Sequence, residues 1–509
     1  MLGKILSVGV FGIDGYMMEV EFDVRRGLPA VVVVGLPDAA VKESKDRVAT
    51  ALKNSGYTWP DGRITINLAP ADTKKEGPAF DLPLALGALS ATGQLLSDRL
   101  RDYAVVGELA LDGSVRPVKG ALSRAMTARE AGLKGLVLPA DNAREAAVVS
   151  GLEVVPVTAL AQAVGFLTGD LPIEPCAVDL VAVFEEARRD DVDFSDVRGQ
   201  EHAKRALTIA AAGGHNVLLI GPPGAGKTML ARRLPTILPP LDLEESLETT
   251  RIYSSVGLLG RGQAILAVRP FRSPHHTTSE AGLVGGGTVP APGEVSLAHH
   301  GVLFLDELPE FNRHTLEVLR QPLEDGVITI SRAQASLTFP AQIMLVAALN
   351  PCPCGYLTDP KHECHCTPRQ IQNYMGKISG PLLDRIDIHL DVPAVPYREL
   401  RGQSDGTPSA AMREEVLRAR DRQAARFGHR RLTNARMSHR QVKKFCALDG
   451  AGESLLKQAM QEMGLSARAH DKVLRVARTI ADLESAADIT ATHLAEAVQY
   501  RRLDRNLFA

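Results

Sequence analysis

The sequence reads Asn-Val-Leu-Leu-Ile-Gly-Pro-Pro-Gly-Ala-Gly-Lys-Thr from Asn216 to Thr228. Its apolar first part predicts a buried strand, and the residues that follow, Met229–Leu234, predict a helix. A glycine-rich loop between a strand and a helix can wrap its backbone N–H groups around phosphate, and the helix dipole adds to the attraction. Lys227 would supply positive charge to the β- and γ-phosphates, and Thr228 a hydroxyl ligand for Mg²⁺. We therefore predict a nucleotide-binding loop made of Gly221, Pro222, Pro223, Gly224, Ala225, Gly226, Lys227 and Thr228.

A second apolar run, Gly301–Leu305, ends in two adjacent carboxylates, Asp306 and Glu307. Because a buried parallel strand exposes its carboxyl end at the ligand crevice, two acids at that place suit phosphate chemistry. We assign Asp306 to Mg²⁺, directly or through water, and Glu307 to polarising the attacking water. Alone, the pair could equally form a solvated acidic turn, but the phosphate loop upstream favours the catalytic interpretation.

Three further polar residues fit the same machinery. Asn350 follows a third apolar run, Gln342–Leu349, and could reach the γ-phosphate or the lytic water, the role called sensor 1. Arg385 lies beside a turn and is a candidate arginine finger for a neighbouring subunit's site. Arg468 opens a long predicted helix and is a candidate sensor 2. In isolation, both arginines would be interpreted as surface residues.

The composition sets limits on function. The chain has 509 residues, of which 45% are hydrophobic and 23% charged, as in soluble globular proteins with several domains. Its formal net charge of −2 excludes a binder that holds nucleic acid by overall charge, although a local basic channel stays open. We find no signal peptide and no apolar run long enough to cross a membrane, so we expect a cytoplasmic protein with no membrane partner.

The composition and the pattern of apolar residues change along the chain and divide it into domains. We predict an α+β domain over residues 1–167 and a linker over 168–193 that contains Pro172 and Pro175. The nucleotide domain is predicted over 194–395, and a helical domain over 396–509, where strand patterns are replaced by helical periodicity.

Four of the six cysteines are clustered as Cys352-Pro-Cys354 and Cys364-His-Cys366, with nine residues between the pairs. Four thiolates at such spacing can surround Zn²⁺ tetrahedrally, and a site with all four positions filled is structural. The Cys-x-Cys spacing is tighter than that of a common zinc knuckle. Reduced thiols on a loop therefore remain the alternative interpretation.

Six motifs surround these sites: Gly199-Gln200, Gly213–Asn216, Pro270–His276, Pro292–His299, Asn350–Cys354 and Ser466–Leu483. They resemble motifs of the magnesium-chelatase-like AAA+ proteins, and the whole chain resembles the ComM (YifB) family. The resemblance implies an α/β fold with an AAA+ parallel-sheet core and a helical lid. It also implies ATP and Mg²⁺ as ligands, assembly into a homo-hexamer, and DNA branch migration during integration of transforming single-stranded DNA by homologous recombination. The residue patterns themselves indicate only an ATP motor.

The first domain is similar to the protease domain of Lon and to the ribosomal S5-like fold. Where Lon-type domains carry the serine nucleophile, this sequence has Ala79, and Leu122 stands at the position of the general-base lysine. Neither side chain can act as nucleophile or base. We therefore expect a non-proteolytic scaffold or DNA-handling module.

The family resemblance also indicates where DNA would bind. One insert, residues 269–298, carries Arg269 and Arg272, and a predicted hairpin, Val327–Leu337, carries Arg332. In related motors such loops line a central pore, where arginine–phosphate contacts make binding salt-dependent. Solvated loops are the alternative.

Three other functions share parts of this sequence pattern. A chelatase-type motor that remodels a protein partner for metal insertion shares most of the ATPase motifs, but such subunits lack the Lon-like domain and the cysteine cluster. An ATP-dependent protease is disfavoured by Ala79 and Leu122. A non-enzymatic regulator is disfavoured by the presence of Lys227, Asp306 and Glu307.

Overall fold

The computed structural model describes residues 2–71, 73, 75, 77–187, 192–287, 290–332, 335–357, 359, 362–394, 406–464 and 466–501. The chain forms two compact units, each made of two segments. The first unit consists of Met1–Ala187 and Leu243–Ala267, and the second of Arg188–Asp242 and Val268–Ala509. None of the helices in the described part of the chain combines the length and the apolar character needed to cross a bilayer.

The first segment alternates strands and helices. Its strands are β1 (Leu2–Phe11), β2 (Asp14–Arg25), β3 (Ala30–Val34), β4 (Arg63–Ala69), β5 (Tyr103–Val105), β6 (Glu108–Leu109), β7 (Val115–Arg116), β8 (Gly135–Pro139) and β9 (Glu153–Val157). Its helices are α1 (Ala39–Asn54), α2 (Asp81–Ala91), α3 (Ala121–Glu130), α4 (Ala143–Ala146), α5 (Leu160–Thr168) and α6 (Leu180–Glu186).

These strands form a four-stranded sheet in the order β1-β2-β4-β3, a three-stranded sheet β5-β8-β9 and the small pair β6-β7. β1 and β2 pair antiparallel with Ile5 opposite Val20, and both side chains are buried. Helix α1 begins where the Asp38 carboxylate accepts a hydrogen bond of 2.7 Å from the Val41 backbone, which satisfies a free N–H of the first turn. The unit is α+β, as predicted.

The chain continues through α7 (Glu201–Gly213), β10 (Val217–Ile220) and α8 (Lys227–Ile237), all in the second unit, to α9 (Leu243–Val256), which belongs to the first. This division differs from the predicted one. Residues 168–187 were predicted as linker and 243–267 as nucleotide domain, but both belong to the first unit. The physical reason is burial: Ala264 and Ile265 are buried in the same apolar cluster as Leu122 of α3.

The rest of the second unit begins with short elements and ends in helices. Its strands are β11 (Phe271–Arg272), β12 (Gly285–Gly286), β13 (Ala291–Pro292), β14 (Val302–Leu305), β15 (Val327–Arg332), β16 (Ala335–Pro340), β17 (Met344–Leu349) and β18 (Ile388–Asp391). Its helices are α10 (Glu280–Val284), α11 (Glu294–Leu297), α12 (Arg313–Glu317), α13 (Arg320–Asp325), α14 (Pro368–Met375), α15 (Gly380–Leu383), α16 (Ser409–Phe427), α17 (His439–Phe445), α18 (Gly450–Met463), α19 (Ala467–Leu483) and α20 (Ala491–Gln499).

The central sheet has the order β11-β14-β17-β10-β18, and every neighbouring pair in it is parallel. Strands β10, β14 and β17 are buried along their whole length, as their unbroken apolar sequences require. Because β17 lies between β14 and β10, the residues that follow these three strands meet at one edge of the sheet.

Beyond the sheet, the described residues 406–501 are helical, and Gly428 and Gly464 end helices in the left-handed conformation with φ of 70° and 62°. The predicted boundary at 395/396 lies outside the described residues. The predicted fold class, an AAA+ parallel-sheet core with a helical lid preceded by an α+β domain, is confirmed.

Candidate active site

The phosphate loop joins β10 to α8 and is shaped by its glycines. Gly224 and Gly226 have φ of 76° and 86°, which glycine adopts without strain. At Gly221, an added β-carbon would lie 2.1 Å from the Val392 carbonyl oxygen, so only glycine fits between the two backbones. The loop therefore needs glycine at these positions, as a nest of N–H groups around phosphate would.

Lys227 is the first residue of α8, and its ammonium group is held by oxygen atoms alone. Nζ donates to the carbonyls of Gly221 at 2.7 Å and Pro222 at 3.0 Å, and to Asn350 Oδ1 at 3.0 Å. Burial lowers the pKa of Lys227, while the charges of Asp306 and Glu307 oppose that shift. A buried cation without an ion-pair partner within 4 Å among the described residues suits an anionic ligand such as a nucleotide phosphate.

The two predicted Mg²⁺ ligands lie together. Thr228 Oγ1 donates to Asp306 Oδ2 at 2.8 Å, across the gap between α8 and the end of β14. A hydroxyl and a carboxylate are hard oxygen ligands, which Mg²⁺ prefers beside substrate phosphates. These residues fit the ion that an ATPase site requires.

Glu307 follows Asp306 and has the left-handed backbone conformation, with φ of 52°. Such a conformation costs a non-glycine residue on the order of 1 kcal/mol and is concentrated at functional sites. Its carboxylate lies 3.5 Å from Nδ1 of His276, whose ring is tilted by 34° against that of His275, with 4.0 Å between centroids. Sequence reasoning placed His276 in the insert over residues 269–298 that was expected to face DNA, and gave it no part in hydrolysis.

A second residue that the sequence left unassigned is Gln200. Its Nε2 donates to the Ala225 carbonyl in the phosphate loop at 2.7 Å. Its Oε1 is buried without a hydrogen-bond partner in the described part of the chain. Since a buried acceptor without a partner is costly, this oxygen is suited to accept a hydrogen bond from a bound nucleotide. The Gly199-Gln200 motif was the available signal.

Arg385, the predicted arginine finger, and Arg468, the predicted sensor 2, lie away from the phosphate loop. Arg385 pairs with Glu324 and donates to the Pro381 carbonyl at 2.5 Å, and Arg468 lies 3.9 Å from Asp384, the neighbour of Arg385. Within the described ranges, neither guanidinium forms a hydrogen bond or ion pair with the phosphate loop, Asp306, Glu307 or Asn350.

The arginines predicted to contact DNA differ in their surroundings. Arg269 donates to the carbonyls of Pro239 at 2.5 Å and His300 at 2.7 Å, and Arg272 forms two 2.6 Å hydrogen bonds with Glu294. Both guanidinium groups therefore have hydrogen-bond partners within the chain. Arg332 is exposed at the end of β15, and its guanidinium forms no hydrogen bond or ion pair with any described residue.

The four clustered cysteines come together. Sγ of Cys352 lies 3.3 Å from that of Cys354 and 3.6 Å from that of Cys364, and the four sulfurs lie within 4.8 Å of one another. All four are free thiols.

In the first unit, Ala79 and Leu122 are both buried, and the Leu122 backbone N–H donates to Glu145 at 2.9 Å.

This parallel sheet, with its phosphate loop, paired acids and polar residue on adjacent strand ends, defines a P-loop ATPase of the AAA+ class. Family models agree. The model described as magnesium chelatase, subunit ChlI, matches residues 193–400; that of subunit ChlI of Mg-chelatase matches 20–142; and the ChlI C-terminal model matches 406–501.

Relatives that align along nearly the whole chain identify its family within the AAA+ class. The YifB protein of Salmonella typhimurium is 46% identical over 508 residues, covering 99% of this chain and 98% of that protein. The competence protein ComM of Haemophilus influenzae is 44% identical over 514 residues, with 99% and 98% covered. The chain therefore belongs to the YifB and ComM family of AAA+ ATPases, which implies ATP and Mg²⁺ as its ligands.

Two more distant similarities cover less of the chain. A Lon protease of Rhizobium meliloti is 25% identical over 211 residues, 39% of this chain and 25% of that protein. The magnesium-chelatase subunit ChlI of Guillardia theta is 25% identical over 254 residues, 43% of this chain and 64% of that subunit.

Proposed function

We propose that this protein is an ATP-driven DNA motor, a homo-hexamer that drives branch migration of recombination intermediates during natural transformation. The observation that carries the proposal is a fully equipped hydrolysis site in a chain that aligns along 99% of its length with a protein named for competence. Lys227, Asp306, Glu307 and Asn350 supply the charge, metal ligand, water-orienting carboxylate and γ-phosphate contact that such a motor needs.

The β15–β16 hairpin supports a contact with nucleic acid. One face is apolar and buried through Ile328, Ile330 and Phe339, which fixes the hairpin to its own unit. The opposite face is exposed and carries hydroxyls in two cross-strand pairs: Thr329 with Thr338 at 3.1 Å and Ser331 with Ser336 at 3.0 Å.

This hairpin offers the donors that bind a DNA backbone without reading its sequence. Most such contacts are made to phosphate oxygens by arginine, lysine and hydroxyl side chains. Arg332 adds an exposed positive charge at the distal end of the hydroxyl-bearing hairpin. In a ring, each subunit would present the same set of donors towards the pore.

We further propose that the four cysteines bind one structural Zn²⁺. With Zn–S bonds of about 2.3 Å in a tetrahedron, neighbouring sulfurs lie about 3.8 Å apart. The Cys354–Cys364 distance of 3.6 Å is close to that value and far from a disulfide. Four protein ligands leave no open position for substrate.

A junction assay tests the motor directly. The protein, ATP and Mg²⁺ are added to labelled three- and four-strand DNA junctions, and strand exchange is followed. We expect the wild type to move the branch and Arg332→Ala to lose DNA-dependent work while DNA-free ATP hydrolysis continues. Arg418→Ala is the matched control, because Arg418 is an exposed helical arginine paired with Glu414 at 3.3 Å.

A chelatase-type motor that remodels a protein partner is the second candidate, favoured by the ChlI models on three segments of the chain. The same assay separates the two. A preparation that forms rings and hydrolyses ATP, but moves no duplex or branched DNA, would contradict branch migration and favour the chelatase-like function.

A further inference from the structure

The cysteine cluster is joined directly to the hydrolysis site. Strand β17 ends at Leu349, Asn350 follows, and Cys352 is two residues further on with its side chain fully buried. A chain this short leaves little freedom between the γ-phosphate contact and the first sulfur. Any movement of Cys352 therefore moves Asn350.

The loop that carries the sulfurs also packs on the phosphate loop. A β-carbon placed on Gly355 would lie 2.6 Å from Cδ of Pro223 and 3.7 Å from Cγ of Asn350, so the backbone at Gly355 lies close to both. Asn350 in turn accepts the 3.0 Å hydrogen bond from Lys227. The cysteine loop thus supports two of the groups that would surround the γ-phosphate.

The four sulfurs come from the two ends of the loop. Cys364 and Cys366 come from its far side, and both are partly exposed. Thiols are weak hydrogen-bond donors, so metal-free cysteine side chains at these distances attract one another little. A bound divalent metal would tie the near and far sides of the loop together, with a contribution to folding that is large for structural zinc.

We propose that metal occupancy of the four-cysteine centre controls ATP hydrolysis, because the metal-bound loop holds Asn350 and Pro223 against the nucleotide. This inference rests on the proposed ATPase activity and zinc site. Loss of the metal releases the loop, displaces Asn350 from the γ-phosphate and reduces turnover. Because small displacements of positioning groups cost one to two orders of magnitude in rate, kcat falls about tenfold or more, with a smaller change in KM for ATP.

The first test removes the metal without altering any residue next to Asn350. In Cys364→Ser/Cys366→Ser, we expect the zinc content of the purified full-length protein to fall from one ion per chain to none, and kcat to fall with it. Cys176→Ser, a partly exposed cysteine of the first unit, is the matched control and should keep both zinc and kcat. Wild type stripped with a chelator should lose turnover and regain it when Zn²⁺ is returned.

The second test breaks the contact and keeps the metal. Gly355→Ala adds the β-carbon that meets Pro223 and also strains a backbone with φ of 85°, so we expect a reduced kcat while zinc stays at one ion per chain. Tetrahedral thiolate absorption of the Co²⁺-substituted protein reports whether the centre is still formed.

The outcomes separate the inference from the proposed function. Zinc-free Cys364→Ser/Cys366→Ser that hydrolyses ATP at the wild-type kcat would overturn the control of hydrolysis and leave the ATPase intact. Wild type that binds neither Zn²⁺ nor Co²⁺ would overturn the metal centre. Zinc-loaded wild type that hydrolyses no ATP, with or without DNA, would overturn the proposed function and the inference together.

Discussion

Nδ1 of His276 lies 3.5 Å from Oε2 of Glu307, the carboxylate that would orient the attacking water. His276 follows β11, which is the neighbour of β14 in the sheet, and Glu307 follows β14. The pairing of these two strands therefore brings the imidazole to the carboxylate. The ring of Phe311 contacts His276 edge-on, with 6.5 Å between centroids, and limits its orientation.

We predict that His276→Ala lowers kcat about tenfold with little change in KM, because the catalytic carboxylate loses the group that positions it. His276→Gln, which keeps a polar contact, should recover part of the rate. Steady-state ATP hydrolysis measures this, with His314→Ala as the control, since His314 is exposed and pairs with Glu280 instead. A wild-type kcat in His276→Ala would rule out a positioning role.

Replacement of Lys227 should impair nucleotide binding, whereas replacement of Glu307 should impair hydrolysis. Lys227→Ala removes the charge that the phosphates need and should weaken nucleotide binding, seen in a fluorescent-nucleotide titration. Glu307→Gln keeps the binding groups and should leave affinity near wild type while hydrolysis falls at least a hundredfold. Normal turnover by Glu307→Gln would show that another residue orients the water.

Much of this site could be predicted from the sequence because it follows from strand order. Three apolar runs end in Gly221, Asp306 and Asn350, and parallel strands bring their carboxyl ends to one edge. The strand predicted before the phosphate loop and the helix predicted over Met229–Leu234 agree with β10 and α8. Periodicity and caps are local signals, so they can be read without the tertiary structure.

Other features depend on contacts between distant residues, which a single sequence does not encode locally. Arg272 has the pattern of an exposed basic loop, but the fold places Glu294 beside it in a bidentate pair. Similarly, α9 has the pattern of an ordinary helix, and nothing local indicates that it joins the first unit. The contact of His276 with Glu307 depends on the pairing of β11 with β14, which the sequence does not indicate locally.

A buried ion pair connects the sheet to the lid within the second unit. Asp387, just before β18, lies 3.1 Å from Lys472 of α19 and 3.2 Å from His215. Burial would raise the pKa of Asp387, but Lys472 and His215 outweigh burial and hold that pKa well below its usual range. The contribution of this carboxylate to stability is thus present at neutral pH and is lost as the pH falls below about 4.

We therefore predict that Asp387→Asn destabilises the protein by about 3–5 kcal/mol at pH 7, because it leaves Lys472 buried without its counter-ion. Denaturant unfolding at pH 7 and pH 3 measures this, and the difference from wild type should shrink at pH 3. Asp421→Asn, on an exposed part of α16, serves as the control. An equal difference at both pH values would contradict the assigned charge state.

We predict no cleavage of casein or peptides, with or without ATP. Ala79 and Leu122 lack nucleophilic and basic groups, and both are buried as apolar core residues. Fluorescent casein release checks this, with Lys227→Ala as the control for ATP dependence. ATP-dependent cleavage that survives further purification and is lost in Lys227→Ala would contradict the prediction.

The last prediction concerns Arg385, whose guanidinium pairs with Glu324 in the single chain and whose Nε is buried without a partner among the described residues. An arginine finger would have to exchange that carboxylate for the phosphate of a neighbouring subunit. Arg385→Ala should then bind nucleotide normally and lose hydrolysis by about 10³-fold, the usual effect of removing such a finger.

Mixing two inactive chains tests whether Arg385 acts in trans. Arg385→Ala keeps a working phosphate loop, and Lys227→Ala keeps a working finger. In a mixed ring, an interface between the first chain's loop and the second chain's finger has both parts intact, so part of the activity should return. Addition of Glu307→Gln to the Arg385→Ala chain should abolish this recovery, because the only competent loops then lack the water-orienting carboxylate. Mixed rings verified by native mass spectrometry that remain inactive would show that Arg385 serves its own subunit or the fold alone.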